Sequence, residues 1–509
     1  MQILDCTLRD GGYYTDWDFE DIVVDTYIRD LNDLPIEYIE LGYRNKPQQD
    51  YLGQFAYCPI AILQHIRSLS NKKLAVMLNE KDYRPEDLHQ LLDPVRDVVD
   101  MVRLAVDPKN FERAVVLAMA VKTMGFQVAF NTMYMSTWRE LENFFPKLNL
   151  LDNVADLFCM VDSYGSMTPD LVKNTVMEVQ RYTNVKLGFH GHNNLQLALI
   201  NTLTAIEQGV EVIDATIMGM GRGAGNLNME LLLTFLNKHY KLHVDFNRLG
   251  DVVQAFEPLC KQYNWGTNLP YMLSGANSIP QKEVMTWVQN RVYSFNSIVR
   301  ALDNRKDGIP DNAKYPVFSS DRNYKQVIII GGGASVTKHI NGIKAFVKSN
   351  DTALVFATSR FAELFADVEC AKFYILVGNE GKRLSAKVKE TNFDDICILP
   401  PYPRAMGTDV PAFANQYTYE LEDVVCVGKY SDSCTAIAVV LAHSLTDGGI
   451  YVAGYDGYRG EALTEKELTL NNENREIFSL YKSNTGHHLI SLLPTIYEEL
   501  EVESMYSKL

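Results

Sequence analysis

Eight short apolar runs recur through the first half of the chain, at 2–7, 36–41, 74–78, 99–106, 127–130, 156–161, 186–189 and 212–218. Amphipathic stretches lie between them. In 18–34, Phe19, Ile22, Tyr27 and Leu31 gather near one helical face. In 195–208, Leu195, Leu199, Leu203 and Ile206 do the same, and Gly209 follows as a helix stop. Strand alternating with helix eight times in about 240 residues predicts a (β/α)8 TIM barrel over 1–243. An open, doubly wound sheet satisfies the same periodicity.

The pattern then changes. Residues 244–305 are helical in period, with no strand run, and read as a helical appendage to the barrel. Residues 306–324 are rich in Asp, Asn, Pro, Lys and Ser and read as a linker. A second alternation follows over 325–509, with strand-like runs at 327–330, 353–357, 373–377, 396–399, 424–427 and 450–453. This predicts a smaller Rossmann-like α/β domain.

Composition narrows the function. Of 509 residues, 48 are Lys or Arg and 64 are Asp or Glu, for a net charge of -16. That balance lacks the basic footprint of a nucleic-acid partner and disfavours an anionic membrane surface. No apolar run reaches the roughly 18–20 residues of a membrane span. Residues Met1 to Asp5 read as a strand, not a signal peptide, and the eight cysteines are scattered without a C-x-x-C pair. Free thiols in the cytoplasm are the expectation.

Three segments carry chemistry. His190 and His192 stand two apart at the end of an apolar strand, with Gly188 before them and Gly191 between them, so both imidazoles share a face at the barrel's C-terminal mouth. Arg9 and Asp10 close the first strand and reach the same rim. Asp10 with the two histidines makes a two-nitrogen, one-oxygen metal site that leaves positions open for substrate. After the eighth strand, Gly219, Gly221, Gly223 and Gly225 crowd a loop that ends at Asn226, a further ligand oxygen. A phosphate loop is the competing reading there.

Together these segments resemble the aldolase/Claisen-type, metal-dependent TIM-barrel superfamily, which is hydroxymethylglutaryl-CoA lyase-like. Within it the chain resembles the 4-hydroxy-2-oxovalerate aldolase-like proteins, and the resemblance covers residues 1 to about 300. Thr7 to Gly11 matches the first-strand motif, His190 to Asn193 the seventh, Gly221 to Asn226 the glycine loop, and Asp162 to Pro169 the turn after the sixth strand. The resemblance implies a divalent metal, Mn2+ or Mg2+ first and Zn2+ or Co2+ next, on Asp10, His190, His192 and Asn226. It implies a 2-oxo acid such as pyruvate and an aldehyde as substrates, with Arg9 stabilising the enolate. Where aromatic-degrading relatives carry a histidine base, this chain has Tyr13, a phenol that must be tuned by its surroundings to act near neutrality. Glu40, Arg103, Asn131 and Ser163 stand near strand ends as substrate-binding candidates, with interior ion pairing or hydrogen bonding as the other reading. Asp5 is left behind the site. The remaining histidines, His487 and His488 among them, read as surface or packing residues.

Two other classes compete. An acetyl-CoA-dependent acyltransferase of the isopropylmalate or citramalate synthase kind would carry Glu-Gln where this chain has Gly12 and Tyr13. A non-catalytic nucleotide-binding scaffold would not need the Arg-Asp and His-Gly-His sets. In the second domain, Gly331, Gly333 and Ser335 follow a strand and open a helix, which suits a nucleotide phosphate. Val336 replaces the third glycine of the dinucleotide fingerprint, and Ser359-Arg360 stands where an acid would hold an NAD ribose. A scaffolding or oligomerisation role is the alternative, and a homodimer through the helical appendage is expected. The domain also resembles Rossmann-type domains of bacterial surface-polysaccharide pathways, which implies a sugar-derived aldehyde. No cysteine suits an aldehyde dehydrogenase.

Overall fold

The computed structural model describes residues 1–289, 295–306, 313–320, 322–349, 351–388, 393–404, 408–428, 430–460, 463 and 465–509. They form two compact units, Met1–Met285 and Thr286–Leu509. Of the expected linker, residues 307–312 and 321 lie outside the described residues.

The first unit is a closed parallel barrel, a TIM barrel. Its strands are β1 (Gln2–Asp5), β2 (Tyr38–Tyr43), β3 (Lys73–Asn79), β4 (Met101–Val106), β5 (Gln127–Thr132), β6 (Leu157–Asp162), β7 (Lys186–Gly191) and β8 (Val212–Ala215). They pair in chain order, and β8 returns to β1. The inward residues change chemistry along the strands. Leu4, Tyr38, Ala75, Met101, Ala129, Leu157 and Val212 form an apolar plug with Cys6. Two residues further on, the same faces carry Glu40, Arg103, Asn131, His190 and Asp214, all buried. The period of two therefore stacks a polar layer on an apolar one, toward the C-terminal mouth. Asp5, one residue off this face, turns toward the helical shell and accepts from the Tyr27 hydroxyl at 2.5 Å.

Most boundaries shift by a residue or two, and two shifts bear on the site. The first apolar run stops at Asp5, and Thr7–Thr15 is a helix, α1. The last run ends as a strand at Ala215 and turns through a 3₁₀ segment, Ile217–Gly219. The helices Phe246–Tyr263, Leu269–Ala276, Gln281–Gln289 and Phe295–Lys306 follow, and the division between units falls within this helical stretch.

The second unit is an eight-stranded sheet whose pairs are all parallel. Its strands are β9 (Gln326–Ile330), β10 (Thr352–Phe356), β11 (Lys372–Ile375), β12 (Ile396–Leu399), β13 (Thr418–Glu420), β14 (Gly449–Ala453), β15 (Leu489–Ser491) and β16 (Glu501–Val502). They lie in the order β13-β12-β11-β10-β9-β14-β15-β16, which reverses direction between β9 and β14. Both faces are covered, so the strands need no polar alternation: Val327 and Ile329 pack into one core, Ile328 and Ile330 into the other. The apolar run at 424–427 is not a strand. It makes a 3₁₀ turn, Val425–Val427, ahead of Gly428 at φ +68°, and the pairing strand is the shorter β13.

Candidate active site

Helix α1 starts two residues beyond β1 and carries Arg9, Asp10 and Tyr13. Positions three and four apart on a helix share a face, so Tyr13 stands one turn from the Arg9-Asp10 pair. Arg9 pairs with Asp10 and places Nε 2.9 Å from Glu40. Its Nη2 makes no hydrogen bond among the described residues, and the side chain keeps 8% exposure. Burial drives the Asp10 carboxyl up, but Arg9 and then the two histidines outweigh it and hold it below its ordinary range.

Strand β7 delivers the histidines. A Cβ on Gly188 would stand 3.3 Å from Cys159, so the position beneath His190 has room for a glycine and little more. His190 Nδ1 lies 3.0 Å from Asp214, and its Nε2 faces Asp10 at 3.4 Å. His192 Nδ1 donates to the Asp162 carbonyl at 2.8 Å, which leaves Nε2 as its free lone pair. The two rings stand 5.0 Å apart. Burial, with His190 beside it, lowers the His192 pKa to about 3, so the ring is neutral. Each imidazole thus has one nitrogen engaged behind it, as metal-binding histidines do, and His190 turns its other nitrogen to Asp10.

Asn226 completes the space. Its amide nitrogen donates to Asp10 at 2.7 Å, and its Oδ1 is buried without a hydrogen-bond partner. An orphaned buried oxygen on an amide that binds a carboxylate, with an imidazole nitrogen 3.4 Å from that carboxylate, fits a divalent cation. Cys6, His190 and Asp214 also cluster, with ligand atoms within 4.8 Å of one another. That set suits a cation less well. Burial keeps the Cys6 thiol protonated, and Asp214 is already bound by Arg103 and His190.

Three expected substrate contacts lie elsewhere. Arg103 is sealed at 0% exposure and bridges Glu40 at 3.0 Å, Asp214 at 2.6 Å and Asn131 at 2.9 Å. Glu40, Arg103 and Asn131 therefore form a buried floor, bonded to one another, as the interior-pairing reading expects. Burial raises Asp214, but Arg103 and His190 outweigh it and bring it to about 2. Ser163 sits at the rim and accepts the Tyr134 amide at 2.8 Å. Asp214 was not among the sequence candidates; a lone acid inside an apolar strand is the signal that marks it. Tyr43, whose hydroxyl meets that of Tyr13 at 2.9 Å, and Arg222 were also missed.

In the second unit a cleft of about 860 Å³ opens where the strand order reverses, lined by Gly331, Gly333, Thr358, Gly378, Tyr455 and Asp456 among others. Ser335 gives both its amide, at 2.9 Å, and its hydroxyl to Asp456. The helix it opens is only Ser335–Lys338. The expected phosphate donors are thus already engaged: those of Ser335 by a carboxylate, and the Gly331 and Gly333 amides by the Ala453 and Gly454 carbonyls, each at 2.8 Å.

A parallel barrel with a His-x-His and Arg-Asp site at its C-terminal mouth defines a lyase- and aldolase-type enzyme class, and comparison with known proteins agrees. The HMGL-like family model matches residues 97–255. A 4-hydroxy-2-oxovalerate aldolase of Moorella thermoacetica is 30% identical over 283 residues, 54% of this chain and 82% of that protein. An oxaloacetate decarboxylase of Mycobacterium tuberculosis is 28% identical over 256 residues, 50% of this chain and 75% of that one. The crystal structure of the N-terminal domain of a candidate aldolase from Bacteroides vulgatus is 63% identical, with a TM-score of 0.57, and covers 59% of this chain and all of that one. The chain belongs to the HMGL-like family.

Proposed function

We propose that the barrel unit is a divalent-metal-dependent aldolase that forms or cleaves the carbon–carbon bond between pyruvate, or a close 2-oxo acid, and an aldehyde. The observation that carries this reading is the Asp10 carboxylate with His190 Nε2 facing it at 3.4 Å, the His192 ring 5.0 Å from that of His190, and an unpartnered Asn226 oxygen on the amide that binds Asp10. Such a donor set suits Mn2+ or Mg2+, and also Zn2+ or Co2+. The names of the two curated relatives point the same way, since both act on 2-oxo acids. When bound, the ion supplies Lewis-acid stabilisation of the keto oxygen.

The chain's own residues do the rest. Arg9 is fixed by Asp10 and Glu40 and has a nitrogen left over to stabilise charge on the enolate oxygen. Tyr13, hydrogen-bonded to Tyr43, is placed to move the proton of the substrate hydroxyl. Arg103, Glu40 and Asp214 hold Arg9 and His190 in position from below. The eight cysteines, all free, suit a reducing cytoplasm.

Solvent deuterium entry into the pyruvate methyl group, followed by proton NMR with Mn2+ or Mg2+, tests the enolate half without knowledge of the aldehyde. Exchange that needs metal and falls by about 10²–10³ in Arg9→Ala is the expected result. No exchange in folded, metal-loaded protein, with or without an added aldehyde, overturns the reading, and thiol release from acetyl-CoA would then favour the acyltransferase.

A further inference from the structure

Arg222 stands in the glycine loop between β8 and Asn226. Its guanidinium carbon lies 4.4 Å from the centroid of the Tyr13 ring, and Nη2 lies 3.4 Å from the Tyr13 hydroxyl. The loop that holds it is closely tied down. The Gly223 carbonyl accepts from Tyr14 at 2.9 Å, the Gly225 carbonyl from the Asn193 amide at 2.9 Å, and a Cβ on Gly221 would strike Asn226 at 2.6 Å.

The other two arginines of the site are matched by carboxylates: Arg9 by Asp10 and Glu40, Arg103 by Glu40 and Asp214. Arg222 is only partly exposed, yet among the described residues no carboxylate comes within 4.0 Å of it. Its partners are the face and hydroxyl of a phenol. A ring face compensates a cation far less than a carboxylate does. Burying a guanidinium this way is costly unless an anion arrives to share the space. A planar fork of donors is also the side chain best matched to a carboxylate or phosphate.

Position says which substrate brings the anion. Arg9 touches Asp10 directly and lies almost wholly buried. Arg222 reaches only the Tyr13 hydroxyl and lies nearer solvent. The 2-oxo acid belongs beside Asp10, His190, His192 and Arg9, so the Tyr13 hydroxyl and the Arg222 guanidinium next to it are left for the aldehyde.

We infer that Arg222 selects an aldehyde bearing an anionic group, a carboxylate or a phosphate close to the carbonyl. The inference rests on the aldolase reading. The aldehyde oxygen meets Tyr13 while its charged end meets Arg222, so the residue determines specificity for the acceptor.

The test compares wild type, Arg222→Gln and Arg222→Lys with pyruvate and three aldehydes: glycolaldehyde, glycolaldehyde phosphate and glyoxylate. The expected result is a preference for one anionic aldehyde over neutral glycolaldehyde in wild type. That preference, as a ratio of kcat/KM values, should fall about tenfold or more in Arg222→Gln, mainly through KM, and recover in part in Arg222→Lys. Whichever anionic aldehyde wins identifies the group as carboxylate or phosphate. A ratio unchanged by Arg222→Gln, or a wild type that prefers the neutral aldehyde, overturns the inference. Wild-type methyl exchange without aldehyde reports on the aldolase reading separately. If no aldehyde turns over, calorimetric binding of glycolaldehyde phosphate and glyoxylate in the presence of chelator decides. Binding lost in Arg222→Gln supports the anion site; no binding, or equal binding, removes it.

Discussion

The two glycine-rich loops look alike in sequence and serve opposite ends. Each follows a buried strand, and each packs so tightly that an added Cβ would collide: Gly225 with the Gly219 carbonyl at 2.2 Å, Gly331 with the Gly454 carbonyl at 2.6 Å. In the barrel the tight packing turns functional groups outward. Asn226 keeps an unpartnered oxygen beside Asp10, and Arg222 lies over Tyr13. In the second unit the tight packing closes on itself. A Cβ on Gly333 would meet the Asp456 carboxyl at 2.5 Å, and that carboxylate takes the donors of Ser335. Glycine content reports that a backbone comes close to something. The neighbour decides whether that something is a ligand or another loop.

The contrast can be broken in order of effect. Replacing His190 or His192 with Ala should bring metal-dependent pyruvate exchange to background, a loss of about 10³-fold or more, with the bound-metal content measured alongside. Retention of both would dissolve the distinction between the loops. Next, Arg103→Met removes the cation that Glu40 and Asp214 share, leaving Glu40 with Arg9 and Asp214 with His190. It should cost about 3–5 kcal/mol in urea unfolding.

The barrel should also carry a pH signature. Burial raises Asp5 to about 6 from 3.8. The folded state then holds a proton that the unfolded chain has released, so stability from this group is full below about pH 4 and falls as pH rises to about 6. The loss is on the order of 3 kcal/mol. Asp5→Asn should flatten that part of a stability–pH curve. The smallest effect sharpens the second half of the comparison. Asp456→Ala removes the acceptor of the Ser335 amide and should cost about 1 kcal/mol. Inorganic phosphate should bind the variant and not the wild type, as a chemical-shift titration would show.

Much of the site was legible because spacing controls direction. His190 and His192 had to share a face on a strand, and the structure puts their rings 5.0 Å apart. Asp10 and Asn226, 216 positions apart, meet at 2.7 Å because β8 closes against β1, a pairing the strand count implies. Other readings turned on neighbours the pattern does not show. Arg103 and Glu40 are charged residues near strand ends, where substrate contact and interior ion pairing are both open. Inside a closed barrel the same position is a sealed layer, and each finds the other. The run at 424–427 has strand composition, but Gly428 at φ +68° turns the chain before it can pair.

The sequence by itself determined the alternation of strand and helix, the face on which His190 and His192 stand, and the glycines that let two loops pack closely. These are local matters, set by period and by the space a side chain needs. Only the tertiary structure decided which buried charges are consumed by one another and which are left over. Pairing depends on distances between residues far apart in the chain. Arg103 is spent on Glu40 and Asp214, Ser335 on Asp456. Asn226 Oδ1, the two Nε2 atoms and Arg222 keep unmet bonding capacity, and that remainder is what a substrate or an ion can use.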